Sequence, residues 1–275
     1  MTAPYCDTAD VILLDIEGTT TPVDYVFGVL FPFARDHVAD FLTTHQHQAE
    51  VQSDLQWLRQ EYETDLAQGL PVPDWQGTEA TAAVAYIHHL IAIDRKSTGL
   101  KSLQGKIWEQ GYRDGTLRSQ IFPDVKPALE RWTKALKQLF IFSSGSVQAQ
   151  KLLFRYSEEG DLTGFISGYF DTQTGSKREA QSYRKIADAI GVAPEKILFI
   201  SDVTAELKAA QGAGMQTLFS VRLGNHSSES EGFVAIQNFD SVWVGLYCSF
   251  KIVFTNVSML CISCIDAMDC KIVNC

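Results

Sequence analysis

The chain has 275 residues, of which 45% are hydrophobic and 20% are charged, so it has enough apolar material for one large or two modest cores. Its formal net charge of -10 and isoelectric point near 5.0 argue against a nucleic-acid partner, because binding to phosphate backbones needs clustered lysine and arginine. The first ten residues contain neither a basic segment nor an apolar run, so no secretory signal is visible and we expect a cytoplasmic protein.

Residues 11–21 form the first structured segment that the sequence predicts. Four uninterrupted apolar residues at 11–14 are typical of a strand that is buried on both faces of a parallel sheet. Asp15 and Glu17 follow this strand, and Gly18 allows the backbone to turn before three threonines. Because open α/β sheets bind their ligands outside the carboxyl ends of the strands, we expect this turn to lie at a ligand site.

Residues 22–120 are predicted to be helical and contain no convincing strand. Apolar residues recur at helical spacing in four stretches, at residues 26–44, 50–68, 78–91 and 100–112. Pro32 lies inside the first stretch and predicts a kink or a restart of that helix. We therefore predict an all-helical cap subdomain over residues 22–120, inserted directly after the first strand.

Strands and helices alternate from residue 121 onward. Strands are predicted at residues 138–142, 165–170, 197–201 and 217–221, with the last of these as the last core strand, and helices at residues 123–137, 147–155, 179–190 and 204–211. This alternation is typical of an α/β fold with a Rossmann-like, doubly wound parallel sheet. We predict a catalytic core made of residues 1–21 and 121–240.

Residues 241–275 do not continue this alternation. They contain five of the six cysteines, and residues 242–265 are mostly apolar. A membrane span is one interpretation of this stretch, but Lys251 within it would cost about 2.5–3.5 kcal/mol on insertion, and we expect no membrane association. Cys261-x-x-Cys264 lacks a second such pair and a following histidine, so zinc is not favoured. We expect an atypical cysteine-rich tail outside the catalytic unit.

The predicted strand ends bring together side chains suited to phosphate chemistry. They are Asp15 and Glu17, Ser143 and Ser144, and Asp202, and a loop adds Lys177. Carboxylate oxygens suit Mg²⁺, which takes one or two carboxylates together with waters and a substrate phosphate. The hydroxyls, the nearby backbone amides and the lysine are suited to holding the remaining phosphate oxygens. Asp15, Asp202 and Glu17 are therefore the predicted metal-site residues.

Each of these residues also has a purely structural interpretation. Ser143 and Ser144 are common turn and capping residues, and Asp202 is a candidate N-cap for the helix that follows it. Lys177, taken alone, would be a solvated surface charge. Their joint occurrence, each at a strand end or just before a helix, favours a functional site.

The order of these residues resembles the four motifs of the haloacid dehalogenase-like phosphatases that carry a helical cap after the first motif. The matching residues are Asp15-x-Glu17-x-Thr19, Ser143-Ser144, Lys177, and Asp202 with Glu206 on the next helix. The first motif of that family is usually Asp-x-Asp. The chain is similar, over about residues 11–224, to the enolase-phosphatase family of methionine salvage, which has the glutamate variant. The residues that carry this second resemblance are Glu17-Gly-Thr-Thr-Thr-Pro22, Leu30-Phe-Pro32, Asp94-Arg-Lys96, Leu103-Gln-Gly105, Trp108, Ser143-Ser-Gly-Ser-Val147 and Lys151-Leu-Leu-Phe154.

The resemblance implies a Mg²⁺-dependent enzyme that acts on a small phosphorylated molecule, and we expect a monomer. Its reaction would convert 2,3-diketo-5-methylthiopentyl 1-phosphate to an enol and then to the acireductone 1,2-dihydroxy-3-keto-5-methylthiopentene plus phosphate. Carried over by position, Asp15, Glu17 and Asp202 would be metal-site residues, whereas Ser143, Ser144 and Lys177 would bind substrate. Asp15 would be the nucleophile that forms an aspartyl phosphate, and Glu17 the acid and base.

Two other functions stay open at this point. A phosphomonoesterase of broader specificity would share the motifs but would hydrolyse many substrates. A non-catalytic binding domain would keep the fold but lose the carboxylates, and the presence of Asp15, Asp202 and Lys177 argues against it. The residue that takes the carbon-bound proton is also open, and our hypothesis is Glu17, whose side chain is one methylene longer than that of aspartate.

Overall fold

The computed structural model describes residues 5–225, 229–244, 254–255, 258–264 and 270–274, and it describes side chains for residues 8–225 and 229–242. The interpretations of the tail as a membrane span or as a zinc site at Cys261 and Cys264 rest on side chains outside this set. Among the residues it does describe, no helix is both long enough and apolar enough to cross a bilayer.

The described strands form one large parallel sheet and two small sheets. In chain order they are β1 Tyr5–Asp7, β2 Val11–Leu14, β3 Gln138–Phe142, β4 Gly168–Phe170, β5 Ile197–Ser201, β6 Gln216–Ser220, β7 Ala235–Ile236, β8 Val242–Val244, β9 Phe254–Thr255, β10 Ser258–Cys264 and β11 Cys270–Asn274. The large sheet has the order β4-β3-β2-β5-β6-β7 and every neighbouring pair in it is parallel. This confirms the predicted α/β class with a doubly wound parallel sheet. β1 pairs with β8, and β9, β10 and β11 form a separate antiparallel sheet.

β2 lies at the centre of the large sheet, where the chain reverses its winding direction. The chain passes from β2 to β3 and β4 on one side, and β5, β6 and β7 then continue on the other. Leu14, the last residue of β2, is opposite both Ile141 and Ile200. Asp15 therefore follows β2 at the topological switch point, where such sheets bind their ligands.

The four apolar residues of β2 face two different cores. Ile12 and Leu14 belong to the apolar cluster that contains Trp132, and Val11 and Leu13 belong to the cluster that contains Tyr183. All four strand residues are at most 1% exposed. Burial on both faces explains why this strand has an uninterrupted apolar sequence instead of an alternating one.

The described α-helices are α1 Val23–Tyr25, α2 Phe31–His45, α3 Ala49–Ala67, α4 Val84–Ala92, α5 Thr98–Arg113, α6 Val125–Lys134, α7 Val147–Arg155, α8 Ala180–Ile190 and α9 Thr204–Gly212. Helices α1 to α5 lie in the insert between β2 and β3. Their apolar faces form a cluster of their own, which includes Val38, Leu58, Tyr86 and Leu103. The apolar cluster of the insert is thus distinct from the two that cover the sheet, and α7 contributes Leu152 to it.

The insert differs from the predicted helices at two places. A π-helical turn, Val26–Leu30, joins α1 to α2, and Pro32 lies in the first turn of α2, where its missing N–H is tolerated. The third predicted helix begins at residue 78, but in the structure a 3₁₀ turn, Ala80–Ala83, precedes α4. Both deviations are local changes of helical winding.

The large sheet continues beyond the strand predicted to be its last. β7 adds a sixth parallel strand through two residues, and the pairs Phe219 with Ala235 and Ser220 with Ile236 hold it against β6. A two-residue strand has no periodic sequence signal, so the prediction of residues 217–221 as the last core strand was wrong. The predicted strand at residues 165–170 is shorter in the structure, because a 3₁₀ turn, Thr163–Phe165, precedes β4.

Val242, the last residue whose side chain the structure describes, is part of the core and lies two residues beyond residue 240, where we predict the catalytic core to end. Val242 is fully buried in the cluster around Trp132, and its carbonyl accepts a hydrogen bond from the Trp132 indole at 3.1 Å. Phe239 packs against the same indole at a ring distance of 5.2 Å.

Candidate active site

Asp15 is the first residue after β2, and hydrogen bonds fix both oxygens of its carboxylate. Oδ1 accepts from the Ile16 amide at 2.8 Å and from Lys177 Nζ at 2.5 Å, and Oδ2 accepts from Ser201 Oγ at 2.8 Å. The residue is 2% exposed. The central strand therefore places one oriented carboxylate at the carboxyl edge of the sheet.

The turn after Asp15 is closed by its own backbone and by a threonine. The Ile16 carbonyl accepts from the amides of residues 19, 20 and 21, and Thr20 Oγ1 donates to the Asp15 carbonyl at 3.1 Å. Gly18 has a φ of 66°, which favours glycine, and a β-carbon there would lie 2.1 Å from Asp202 Oδ2. Asp202 thus approaches the turn so closely that a side chain at position 18 would collide with it.

Lys177 lies in the loop between β4 and α8 and connects two carboxylates. Its Nζ is 2.5 Å from Asp15 Oδ1 and 2.7 Å from Glu206 Oε2, and its side chain is 9% exposed. Burial alone would lower the pKa of Lys177, but the charges of Asp15, Glu206 and Glu17 together raise it above its ordinary value. The structure thus places Lys177 in the site, and the interpretation as a solvated surface charge does not hold.

Glu206 is part of this site although the sequence motifs assigned it no role. It lies in the first turn of α9, four residues after Asp202, and is 9% exposed. Burial first, and then the charge of Asp15, raises the pKa of Glu206 to about 8. The fourth motif includes Glu206 but gave it no role, because its contact with Lys177 depends on the tertiary fold.

Ser201 lies between the two carboxylates. Its Oγ is 2.8 Å from Asp15 Oδ2 and 3.0 Å from Glu206 Oε2, and it accepts a hydrogen bond from the Val203 amide. One hydroxyl has one proton and can donate it to one carboxylate only. Ser201 therefore donates to Asp15 or to Glu206, and either hydrogen bond keeps the two carboxyl groups side by side.

Glu17 and Asp202 are both affected by the same crowding of acidic groups. Burial and then the charge of Asp15 raise the pKa of Glu17, and the same two causes raise the pKa of Asp202 to about 7. Ser143, which follows β3, donates through its Oγ to Glu17 Oε2 at 3.5 Å. Both carboxyl groups are therefore easier to protonate than ordinary acidic side chains.

Ser143 and Ser144 follow β3, as predicted, and differ in their surroundings. Ser143 is 1% exposed, its amide donates to the Phe170 carbonyl, and its Oγ accepts from the Gly145 amide at 3.1 Å. The carbonyl of Ser144 accepts a hydrogen bond at 3.1 Å from Lys101, a residue of the insert. The sequence did not indicate this contact between the insert and the serine loop.

A cavity of about 440 Å³ lies between these strand ends and the insert. Every predicted site residue lines it: Asp15, Glu17, Ser143, Ser144, Lys177 and Asp202. The opposite wall is largely apolar and comes from the insert, with Val23, Val26, Phe27, Leu30, Phe31, Leu90, Ile91, Leu100 and Trp108. Its size and its mixture of apolar wall and polar floor are typical of sites for small molecules.

The cavity floor suits a divalent cation through its charge and its oxygen donors. The ammonium of Lys177 lies there among four carboxyl groups, which belong to Asp15, Glu17, Asp202 and Glu206. Among the described residues, no three acidic, histidine or cysteine side chains form a ready-made metal cage. Carboxylate oxygens are ligands for a hard cation such as Mg²⁺, which takes its other ligands from water and from a substrate phosphate.

The turn after Asp15 is also held from behind by the end of β6 and the segment that follows it. Ser220 Oγ and Asn225 Nδ2 donate to the Gly18 carbonyl at 3.1 and 2.8 Å. Arg222 donates to the Thr19 carbonyl through Nε and Nη2 at 3.1 and 3.0 Å, and it pairs with Asp124. The sequence motifs did not indicate these supporting residues, because they touch the backbone of the turn and not its side chains.

Comparisons with known proteins identify relatives of this chain. A family model described as haloacid dehalogenase-like hydrolase matches residues 9–214. The chain is 60% identical over 231 residues to a protein named enolase-phosphatase E1 from Synechococcus elongatus, covering 84% of this chain and 96% of that protein. It is 47% identical over 232 residues to an enolase-phosphatase E1 from Pseudomonas fluorescens, with the same coverage of 84% and 96%.

Solved structures have the same fold. The crystal structure of the UTR4 protein of Saccharomyces cerevisiae has a TM-score of 0.70 at 33% identity and covers 85% of this chain and 100% of that chain. A crystal structure of CbbY from Rhodobacter sphaeroides has a TM-score of 0.51 at 16% identity, with coverage of 84% and 95%, and supports the fold alone. By its sequence motifs, its fold and these relatives, the chain belongs to the enolase-phosphatase family of the haloacid dehalogenase-like hydrolases.

Proposed function

We propose that this protein is a Mg²⁺-dependent enolase-phosphatase that acts in methionine salvage. Its reaction converts 2,3-diketo-5-methylthiopentyl 1-phosphate to the acireductone 1,2-dihydroxy-3-keto-5-methylthiopentene and phosphate. The observation that carries the proposal is the meeting of Asp15, Glu17, Asp202 and Lys177 at the switch point of the sheet, facing one cavity with an apolar wall. The names of the relatives support the same reaction.

The first half of the reaction is an enolisation, for which we propose Glu17 as the base. Glu17 takes the proton from C1 of the substrate as the electrons of that C–H bond form a C1–C2 double bond, and Glu17 then gives this proton to the oxygen at C2, which leaves Glu17 ionised. The substrate and the enol are isomers, so no other group is lost. The pKa of Glu17 is raised by burial, which strengthens it as a base.

In the second half, Asp15 is the proposed nucleophile. One of its oxygens bonds to phosphorus as the bond between phosphorus and the C1 oxygen breaks, and Glu17, protonated again from solvent, gives its proton to that oxygen. Glu17 then takes a proton from the water that attacks the aspartyl phosphate, which releases phosphate and restores Asp15. The neighbouring Lys177 and Ser201 keep the Asp15 carboxylate in one orientation throughout.

We propose Asp15, Asp202 and Glu17 as the residues that hold Mg²⁺. The bound ion supplies positive charge for the phosphate and for the carbonyl oxygen. Ser143, Ser144 and Lys177 are proposed to bind the substrate, through hydroxyl, backbone amide and ammonium groups. Without the cation, the excess of carboxyl groups at the cavity floor would repel a phosphorylated ligand.

The apolar wall of the insert is the proposed site for the methylthio end of the substrate. Phe31 stacks against Trp108 at a ring distance of 6.2 Å, and the Trp108 indole donates to the Leu30 carbonyl at 2.8 Å. Phe27 contacts Phe31 edge to face at 5.4 Å and is 53% exposed. The wall therefore combines a fixed part with one accessible aromatic ring.

The decisive experiment supplies the diketone phosphate to the purified protein with Mg²⁺ or with a chelator. We expect phosphate release together with the ultraviolet absorbance of the enol in the presence of Mg²⁺, and neither with the chelator. Asp15→Asn should abolish phosphate release. Rapid hydrolysis of many unrelated phosphomonoesters, with no preference for the diketone phosphate, would instead support a phosphatase of broad specificity.

Shortening Glu17 tests its role as the base. Glu17→Asp keeps the carboxylate but moves it by one methylene, so enolisation should slow by about 10- to 100-fold, and phosphate release from a simple phosphomonoester should slow less. Enol absorbance and phosphate release are followed on the same enzyme samples. Equal losses in both activities would contradict the assignment of the carbon-bound proton to Glu17.

We also propose that the protein is cytoplasmic and monomeric. The presence of one cysteine in the first 247 residues is typical of a protein in a reducing compartment. Size-exclusion chromatography with light scattering measures the oligomeric state, and a mass of one chain is the expected result.

A further inference from the structure

Helix α5 of the insert runs from the cavity to the place where the insert rejoins the sheet, and this far end is firmly held. The Tyr112 hydroxyl lies 2.9 Å from the Tyr25 hydroxyl and accepts from Ser119 Oγ at 2.7 Å. Its ring stacks on Tyr156, the residue directly after α7, with an angle of 10° and a ring distance of 5.4 Å. Tyr25 and Ser119 lie at the two connections of the insert, so this buried group fixes the insert at its hinge.

At the opposite end of α5, the side chain of Lys101 in the first turn is hydrogen-bonded to the core. Lys101 Nζ donates to the Ser144 carbonyl at 3.1 Å and to Thr172 Oγ1 at 3.3 Å. Ser144 follows β3 and Thr172 follows β4, so this one ammonium group joins the insert to two neighbouring loops of the sheet. Lys101 also lines the cavity.

The surroundings of Lys101 suit a contact that can form and break. The side chain is half-buried, so the hydrogen bonds lie at the cavity edge and not in a dry core. Burial first, and then the charge of Lys96, lowers the pKa of Lys101, while Asp171 and Asp94 act in the opposite direction. Between this end and the hinge, Glu109 of α5 accepts from Gln148 of α7 at 2.9 Å.

We propose that Lys101 is a positioning residue that ties the insert to the serine loop and so holds the apolar wall over the carbon chain of the substrate. The proposal rests on the proposed function, since it takes the Ser143–Ser144 loop as part of the substrate site. The binding of a substrate whose carbon chain reaches the apolar wall depends on this contact between Lys101 and the serine loop. A small phosphomonoester that occupies the cavity floor alone does not.

Kinetics with two substrates tests this dependence. Lys101→Met keeps the length of the side chain but removes its donors, so KM for the diketone phosphate should rise about tenfold, as expected for loss of a charged hydrogen bond, with a smaller change in kcat. KM for methyl phosphate, whose single carbon does not reach the wall, should change by less than about threefold. Lys101→Arg, which keeps the donors, should retain most of the affinity, and Lys134→Met, at an exposed position of α6, is the control for the same substitution.

Amide hydrogen exchange of the full chain provides a readout that needs no substrate. In Lys101→Met, peptides that cover residues 98–104 and 143–148 should exchange faster than in the unmodified protein, whereas peptides that cover residues 112–119 should be unchanged. The proposal is overturned if the exchange rates of these peptides are the same in the variant and in the unmodified protein. It is also overturned if both phosphate substrates show equal kinetic losses. If the unmodified protein does not turn over the diketone phosphate, the proposed function fails, and the exchange result alone still decides the role of Lys101.

Discussion

Gly18 is the residue at which the backbone of the nucleophile turn meets the opposite carboxylate. Its φ of 66° and the space it leaves for Asp202 both exclude a larger residue. Its carbonyl, held by Ser220 and Asn225, is also the point at which the C-terminal half of the core supports the turn. One glycine therefore satisfies a conformational, a steric and a positional requirement of the site.

We expect Gly18→Ala to impair the site in two ways: it strains the backbone, and its β-carbon collides with Asp202. The added β-carbon must displace Asp202, so phosphate release should fall by at least about tenfold, and more Mg²⁺ should be required for half-maximal activity. Gly69→Ala is the matched control, because Gly69 has a φ of 71° but open space around it. If both variants lose stability equally and keep normal activity, the close approach of Asp202 has no part in function.

At the scale of elements, the end of β6 and the start of α6 are joined behind the active site by one ion pair. Arg222 Nη1 lies 2.8 Å from Asp124 Oδ2, and the two side chains are 3% and 13% exposed. The guanidinium also lies 4.7 and 4.5 Å from the ring centres of Phe122 and Phe239. Since Arg222 also holds the Thr19 carbonyl, the ion pair connects two elements to the nucleophile turn.

Arg222→Met should therefore lower the free energy of unfolding by about 3–5 kcal/mol, because it leaves Asp124 buried without its partner. The measurement is urea-induced unfolding followed by circular dichroism. Arg113→Met is the control: Arg113 pairs with Glu109 within α5 but is 70% exposed, and its loss should cost about 0–1 kcal/mol. Similar losses in the two variants would contradict the importance of burial at Arg222.

At the scale of the whole molecule, the carboxyl cluster links stability to pH and to the metal. Asp202 and Glu206 have pKa values raised to about 7 and about 8 in the folded protein, against about 4 in an unfolded chain. The folded state therefore binds more protons than the unfolded state at pH values between about 4 and about 8. Their contribution to stability is present at low pH and is lost as the pH rises from about 4 towards about 8.

We expect Mg²⁺ to raise the melting temperature more at pH 8 than at pH 5, because at pH 8 it neutralises carboxylates that would otherwise repel each other. Thermal unfolding is measured at both pH values with Mg²⁺ or with a chelator. Asp202→Asn, in which one of these groups no longer titrates, should show a smaller difference between the two pH values. An equal effect of Mg²⁺ at pH 5 and pH 8 would count against the cluster as its binding site.

Two truncations test the proposed boundary between the catalytic core and the C-terminal tail. A chain that ends at residue 244 keeps the buried Val242 and should retain phosphate release. A chain that ends at residue 240 loses the Val242 side chain and the acceptor of the Trp132 indole, so it should melt at a lower temperature. Complete loss of activity in the longer chain would show that the tail belongs to the catalytic unit.

The sequence by itself determined the fold class and the position of most site residues. The apolar runs of β2 and β5 and the helix and strand alternation predicted the parallel sheet, because burial on both faces imposes a recognisable pattern. Asp15, Glu17, Ser143, Ser144, Lys177 and Asp202 all line one cavity in the structure, as their places beside strands and helices suggested. These features are local, so a single chain segment encodes each of them.

Only the tertiary structure decided what surrounds these residues. The ammonium of Lys177 between Asp15 and Glu206, the tie from Lys101 to Ser144, and the support of the Thr19 carbonyl by Arg222 join segments that are 29 to 203 residues apart. β7 is similarly defined by its pairing with β6 and not by a pattern of its own. Such contacts depend on how the elements pack in three dimensions, and one sequence has no periodic signal for them.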